Sequence, residues 1–246
     1  MTRKKASIIL GSLLLLAGLG AAIYLIVRHE INKPVPVTQE VKQTTPTEPT
    51  LFTFDKNRYP TDQADSPWVV VNKANPLLSS YIPSDLIEVR GSQMRSQAAA
   101  DIEKLITAAG KEQIVFRVIS GYRSFETQHN VYSAYVAKDG RNAADTYSAR
   151  PGHSEHQTGL AADIGNGSGK CDLDICFAAT PGGKWITANA HTYGFIIRYA
   201  DNKTSITGFQ YEPWHLRYVG VDLANELRTK NQTMEEFFNL PAAPNY

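Results

Sequence analysis

A chain of 246 residues has room for one sizeable domain with extensions, not for two full domains. Its 42% hydrophobic and 20% charged residues are those of an ordinary globular protein and exclude an intrinsically disordered one. The 25 basic and 24 acidic residues cancel to a formal charge of +1, so no nucleic-acid partner is expected.

The N-terminus departs from that average. Residues 1–5 are basic, with Arg3, Lys4 and Lys5, and precede an uncharged run from Ala6 to Val27. At ~1.5 Å rise per residue this run spans about 33 Å, enough to cross the hydrocarbon layer. A cleaved signal peptide is the competing reading, although its apolar core is usually nearer ~7–15 residues. The small residues of AGLGAA leave cleavage open. The basic cluster should stay cytoplasmic, so we expect a single-pass cell-membrane protein with everything after Arg28 outside. Residues 28–50, rich in Pro, Thr and charge, read as an extracellular spacer, and residues 51–246 as the folded domain.

That domain opens with WVVVNKANPL, whose apolar run is of strand type. SQMRSQAAADIEKLITAAG predicts a helix, with Met94, Ala98, Ile102, Leu105 and Ile106 near helical spacing and Gly110 as its stop. QIVFRVIS predicts a buried strand ending at the turn SGYRS, and FETQHNVYSAYVAK a second amphipathic helix. ARPGHSEHQ reads as a loop and GLAADI as a short strand, followed by a polar Gly/Cys loop. GKWITANAHTYG reads as helix, FIIRYA as strand, ITGFQYEPWHLRYVG as strand and turn, and the tail from Val221 to Leu240 as helical. Strands and helices mix without a regular βαβ rhythm, which makes the fold class α+β. There is no GxGxxG, Walker-type or GxSxG motif.

Only two cysteines occur, Cys171 and Cys176. In an oxidising compartment they can close a small loop as a disulfide; two free thiols are the alternative. A zinc knuckle would need a second Cys or His pair nearby, and none is present.

Chemistry concentrates in two places. SEHQTGLAAD carries His156 and Asp163, and EPWH carries Glu212 and His215. Two imidazoles and one carboxylate suffice for a catalytic zinc with a fourth position left for water, and Glu212 is then a spare carboxylate able to act as general base. Seven residues of straight strand from His156 to Asp163 would cover ~23 Å, far more than one ion permits. The backbone must therefore fold back between them. Gly159 is the natural place for that, and Ala161 and Ala162 leave room for close approach. Pro213 argues against a helical HExxH arrangement. Spacing alone leaves a zinc hydrolase and unrelated polar loops both open.

SGYRS, PGHSEHQTGLAADI, GFIIRY and YEPWHLRYVG occur in an order that resembles VanY-type D-alanyl-D-alanine carboxypeptidases. That family also takes in LdcB-like L,D-carboxypeptidases. The similarity runs from about Trp68 to Leu240, with no departure in the SxHxxGxAxD and ExWH motifs. The resemblance implies that His156, Asp163 and His215 bind Zn2+, that Glu212 is the catalytic base, and that Arg123 polarises the scissile carbonyl. It places Ser154 and Gln128 at substrate-contacting positions; His153, beside the matching His156, reads as a rim residue and Trp214 as packing that fixes His215. It also implies a small antiparallel sheet flanked by helices and removal of the C-terminal D-alanine from peptidoglycan stem peptides; we expect a monomer. Cleavage of tetrapeptides as an L,D-carboxypeptidase, endopeptidase action deeper in the stem, and an inactive zinc-bearing wall-binding module are the alternatives.

Overall fold

A computed structural model describes residues 28–29 and 54–246. The expected span at 6–27 and nearly all of the expected spacer lie outside these residues. Among the described residues no helix is long and apolar enough to cross a membrane.

The chain first forms a hairpin of β1 (Leu86–Val89) and β2 (Ser92–Arg95). Its two turn residues, Arg90 and Gly91, both have positive φ (52° and 79°), the geometry that matches the twist of paired strands. Met94 therefore belongs to a strand and not to the following helix. It is fully buried, and an apolar position four residues before Ala98 satisfies strand alternation as well as helical spacing. Helix α1 (Ser96–Lys111) buries Ala98, Ala99, Ile102, Leu105, Ile106 and Ala109 as one stripe. Gly110 sits inside its last turn, and Glu112 is the capping residue.

Four strands make the central antiparallel sheet: β3 (Phe116–Ser120), β4 (Ala161–Asn166), β5 (Phe195–Ile197) and β6 (His215–Tyr218), in spatial order β3-β4-β6-β5. This is the α+β arrangement expected, with Phe116, Ile164, Phe195 and Leu216 contributing to the main core together with α1 and Trp185. Between β3 and β4 lie α2 (Phe125–Asp139) and α3 (Arg141–Tyr147). Helix α2 forms where expected, with Gln128 as its one buried residue. Its Val131 and Tyr135 line a cavity. An apolar period tells that a helix has a less polar side, not whether that side meets a core.

The second half adds α4 (Pro181–Asn189), the single turn α5 (Thr204–Thr207), α6 (Val221–Lys230) and α7 (Met234–Phe238). Helices α6 and α7 close a second apolar cluster through Leu223, Leu227, Met234 and Phe237, against Trp68 and Val70. Trp68–Val71 is buried as its composition requires but pairs with no strand. Its backbone is satisfied otherwise: Val70 N–H donates to Thr61 O at 2.8 Å, and Val69 O accepts from Arg217 Nη2 at 2.8 Å. Cys171 and Cys176 are joined as a disulfide, with Cα atoms 5.4 Å apart.

The reversal expected between His156 and Asp163 is made at Gly159. A 3₁₀ turn, Glu155–Thr158, ends there with Gly159 left-handed at φ 68°. A Cβ at that position would lie 2.8 Å from Leu86 Cδ2 and 3.0 Å from Arg95 Cγ. Gly159→Ala should therefore lower stability by roughly 1–2 kcal/mol, from the left-handed conformation alone and more if those side chains resist. Urea unfolding checks this; an unchanged midpoint would show that the turn tolerates a side chain.

Candidate metal centre and active site

The sheet register brings the first chemical groups together. Ser120 pairs with Asp163 across β3 and β4, and Asp163 pairs with His215 across β4 and β6. Directly opposed residues share a face, so these three side chains stand in one row across adjacent strands. A register shift between Val118 and Ser120 brings Ser120 into that row.

His156 arrives from the 3₁₀ turn. Its Nε2 lies 3.2 Å from Asp163 Oδ2, while its Nδ1 donates to Gly121 O at 2.7 Å. On the other side, His215 Nδ1 is 3.1 Å from Asp163 Oδ1. The two imidazoles are nearly perpendicular, with centroids 5.0 Å apart. One ligand atom from each of His156, Asp163 and His215 lies within 4.8 Å of the other two, and all three residues are buried. The expected trio does converge.

The donor chemistry fits a catalytic zinc: two nitrogens and a carboxylate, leaving one position open. The free end of each imidazole is also engaged. Gly121 O holds that of His156, and Glu155 Oε2 lies 3.3 Å from His215 Nε2. Metal-binding histidines are normally oriented in this way.

Burial opposes charge throughout the cluster, and the neighbours decide the outcome. Burial favours a neutral Asp163, but His156 and His215 outweigh it and hold the carboxyl well below its usual range. His156 is lowered, chiefly by burial. His215 is also disfavoured as a cation by burial, yet hydrogen bonds and charge from Asp163 and Glu155 raise it to about 9.

Glu212 enters from a turn in which Glu212 O accepts from His215 N–H at 3.1 Å, and its own N–H donates to Tyr199 O at 3.0 Å. Pro213 supplies the rigid step between them. Burial pushes the Glu212 carboxyl up to about 8; His215 and Arg123 oppose that rise, while Asp163 and Glu155 add to it.

Arg123 follows β3 directly, as its place in the turn suggested. Its Nη1 donates to Gln128 Oε1 at 2.8 Å and its Nη2 to Ser120 Oγ at 2.9 Å; Nη2 lies 4.0 Å from Asp163 Oδ2. Gln128 also donates from Nε2 to Ala149 O at 2.7 Å, so both ends of its amide are occupied. Ser154, Arg123, Gln128, Glu212 and the trio all line one cavity of about 170 Å³. Tyr135 and Leu173, both partly exposed, contribute apolar surface to it. Trp214 lines it too and belongs to the main core, consistent with packing behind His215. His153 turns aside: its Nδ1 pairs with Asn72 O at 2.9 Å and its ring meets Tyr246 edge-on.

Three neighbours of the site escaped the sequence reading. Ser120 was hidden because register cannot be read from one strand. Tyr199, whose ring lies 4.9 Å from that of His215, looked like an ordinary strand aromatic. Glu155 looked like a loop acid, yet its side chain has no exposure. A signal for it did exist, because Arg198 in FIIRYA and Arg217 in HLRYVG are arginines in apolar strands. Such buried guanidinium groups require a carboxylate.

Comparison with known proteins agrees with this geometry. A family model described as VanY, D-alanyl-D-alanine carboxypeptidase, matches residues 91–221. YodJ of Bacillus subtilis, an inferred carboxypeptidase, is 41% identical over 179 residues, covering 69% of this chain and 66% of YodJ. The chain thus spans just under two thirds of that relative. Among solved structures, the LdcB LD-carboxypeptidase superposes with a TM-score of 0.67 at 39% identity, covering 72% of this chain and 87% of LdcB. VanY D,D-pentapeptidase from a VanB-type resistance cassette, solved in complex with Zn(II), gives 0.62 at 32% identity, covering 70% and 98%. The motifs, the sheet register and the matched span lead to one conclusion: this chain belongs to the VanY D-alanyl-D-alanine carboxypeptidase family.

Proposed function

We propose that the protein is a zinc-dependent peptidoglycan carboxypeptidase that removes the C-terminal D-alanine from stem peptides. One arrangement carries the reading. A buried carboxyl poised near neutrality, Glu212, shares a cavity with the His156–Asp163–His215 trio and with Arg123.

His156, Asp163 and His215 would hold the ion. When bound, zinc supplies Lewis acidity, lowering the pKa of water and drawing charge from a carbonyl oxygen. Glu212 accepts the proton of the attacking water on its carboxylate and delivers it to the departing amine nitrogen of D-alanine. Burial makes Glu212 a stronger base than an exposed carboxyl, which suits the first half of that task. Arg123 donates to the carbonyl oxygen as negative charge develops there, an interaction commonly worth ~3–4 kcal/mol.

Gln128 holds the Arg123 guanidinium through its Oε1 and, with its second amide N–H still free, stays a candidate substrate contact on the cavity wall. Ser154 remains the other candidate there. Neither cysteine takes part, since each is tied up in the disulfide.

The similarity figures support a second reading at the level of substrate. LdcB, an LD-carboxypeptidase, is more similar in sequence and superposes better than the D,D-pentapeptidase. Tetrapeptide stems ending in L-lysyl-D-alanine are therefore the alternative substrate to pentapeptides ending in D-alanyl-D-alanine. Mass measurement of the products from purified penta- and tetrapeptides separates the two. For location we retain the single-pass topology, with residues 6–27 as anchor and the domain outside as a monomer. Its support is the length and charge flanks of that segment. Recovery of the full chain in the aqueous fraction after membrane sedimentation would overturn it.

Glu212→Gln should retain zinc and lose about 10²–10⁴-fold in D-alanine release. Wild-type turnover by that variant would remove Glu212 from the mechanism. A second expectation concerns protons. In the metal-free protein His215 holds its proton up to about pH 9 and Glu212 up to about pH 8. Zinc needs the Nδ1 of His215 unprotonated, and a nearby cation also favours ionised Glu212. Binding at pH 7 should therefore release between one and two protons, and affinity should strengthen as pH rises. Titration calorimetry in buffers of different ionisation enthalpy measures the number. Release of no proton would contradict the charged His215.

A further inference from the structure

The carboxylate that meets the far side of His215 comes from Glu155, the residue immediately before the first metal-ligand candidate. We infer that Glu155 is a positioning residue: it holds His215 in the tautomer with hydrogen on Nε2, leaving Nδ1 free to face a metal ion. The inference rests on the zinc site proposed above and deepens it.

The division of labour between the two Glu155 oxygens carries the assignment. Oε1 accepts from Arg198 Nε at 2.8 Å and from Arg217 Nη1 at 2.7 Å. Oε2 faces His215 Nε2 at 3.3 Å. Both guanidinium groups are held in turn. Arg198 makes a two-pronged pair with Glu235 of α7, at 2.6 and 2.9 Å, and Arg217 Nη2 donates to Pro67 O and Val69 O. Glu155, Arg198, Glu235 and Arg217 are all closed to solvent. The carboxylate therefore cannot rotate away from His215 without uncovering buried cations. Meanwhile Gly121 O fixes His156 in the opposite tautomer, hydrogen on Nδ1 and lone pair on Nε2. The two imidazoles are thus set as a complementary pair about Asp163.

This makes Glu155→Gln an unusually sharp substitution, since it changes one atom and hardly any volume. Arg198 and Arg217 can only donate, so the carbonyl oxygen of the new side chain must face them. Its NH2 then points at His215 Nε2 and forces that nitrogen to accept, which moves the hydrogen to Nδ1, the wrong place for a ligand. Glu235→Gln is the control. It removes the same charge from the same buried network but does not touch His215.

The test is the zinc dissociation constant of the full chain, by competition with a chromophoric chelator, alongside thermal unfolding of the zinc-free protein. Glu155→Gln should weaken zinc by about 10–100-fold. Glu235→Gln should stay close to wild type in zinc affinity even if its melting temperature falls. Wild-type affinity in Glu155→Gln, or equal weakening in both variants, would overturn the inference and reduce Glu155 to a structural ion pair. Should Glu155→Gln not fold, the zinc-free wild type still decides: at a pH where His215 is neutral, a long-range proton–nitrogen NMR spectrum must show its hydrogen on Nε2, facing Glu155, and a hydrogen on Nδ1, facing Asp163, overturns the inference. A wild-type chain that binds no zinc fails one step earlier, by removing the proposed function itself.

Discussion

Everything around the cavity is arranged by the need to keep a buried carboxylate, Asp163, between two imidazoles. An isolated charge at that depth is costly, and a cluster missing one partner is worse than no cluster at all. Asp163 meets the constraint because it sits mid-strand, with a register partner on either side and His156 brought over it by the turn at Gly159. The same constraint explains the small residues around it. Ala161 and Ala162 precede Asp163 in β4 and are fully buried, so that polar groups from three segments can close on one point.

The support extends well beyond the cavity. Through Glu155 and Arg198 the site is tied to Glu235 on α7, and through Arg217 to the irregular segment before Trp68. The C-terminal helix α7 and the segment around Trp68 thereby hold the carboxylate that faces Nε2 of His215. Removing one member of such a buried ionic set typically costs ~3–5 kcal/mol, because the remaining charge is stranded. Stability and site geometry are carried by the same side chains.

Much of the site was legible because its residues are chemically conspicuous. His156, Asp163, Glu212 and His215 stand out by type, and a reversal at Gly159 follows from the reach of a strand. The resemblance then assigned their roles. What stayed hidden depends on pairing between distant segments. Met94 read as helix because its spacing satisfied two periods at once, and Trp68–Val71 read as strand because burial and β-branching do not say which groups will meet the backbone. Helix α2 was legible as amphipathic, but not that its Val131 and Tyr135 line the cavity. Gln128 reads as a substrate contact, and only its pairing with Arg123 across the turn was not legible. Glu155 differs from these, because the arginines that bury it were visible and only their partner was not.

The most direct measurement is anomalous diffraction at the zinc edge from crystals of the protein grown with zinc. The account predicts one strong peak within coordination distance of a His156 nitrogen, an Asp163 oxygen and a His215 nitrogen, with Glu212 facing it across the cavity. No peak there, with the three side chains directed apart, would contradict it.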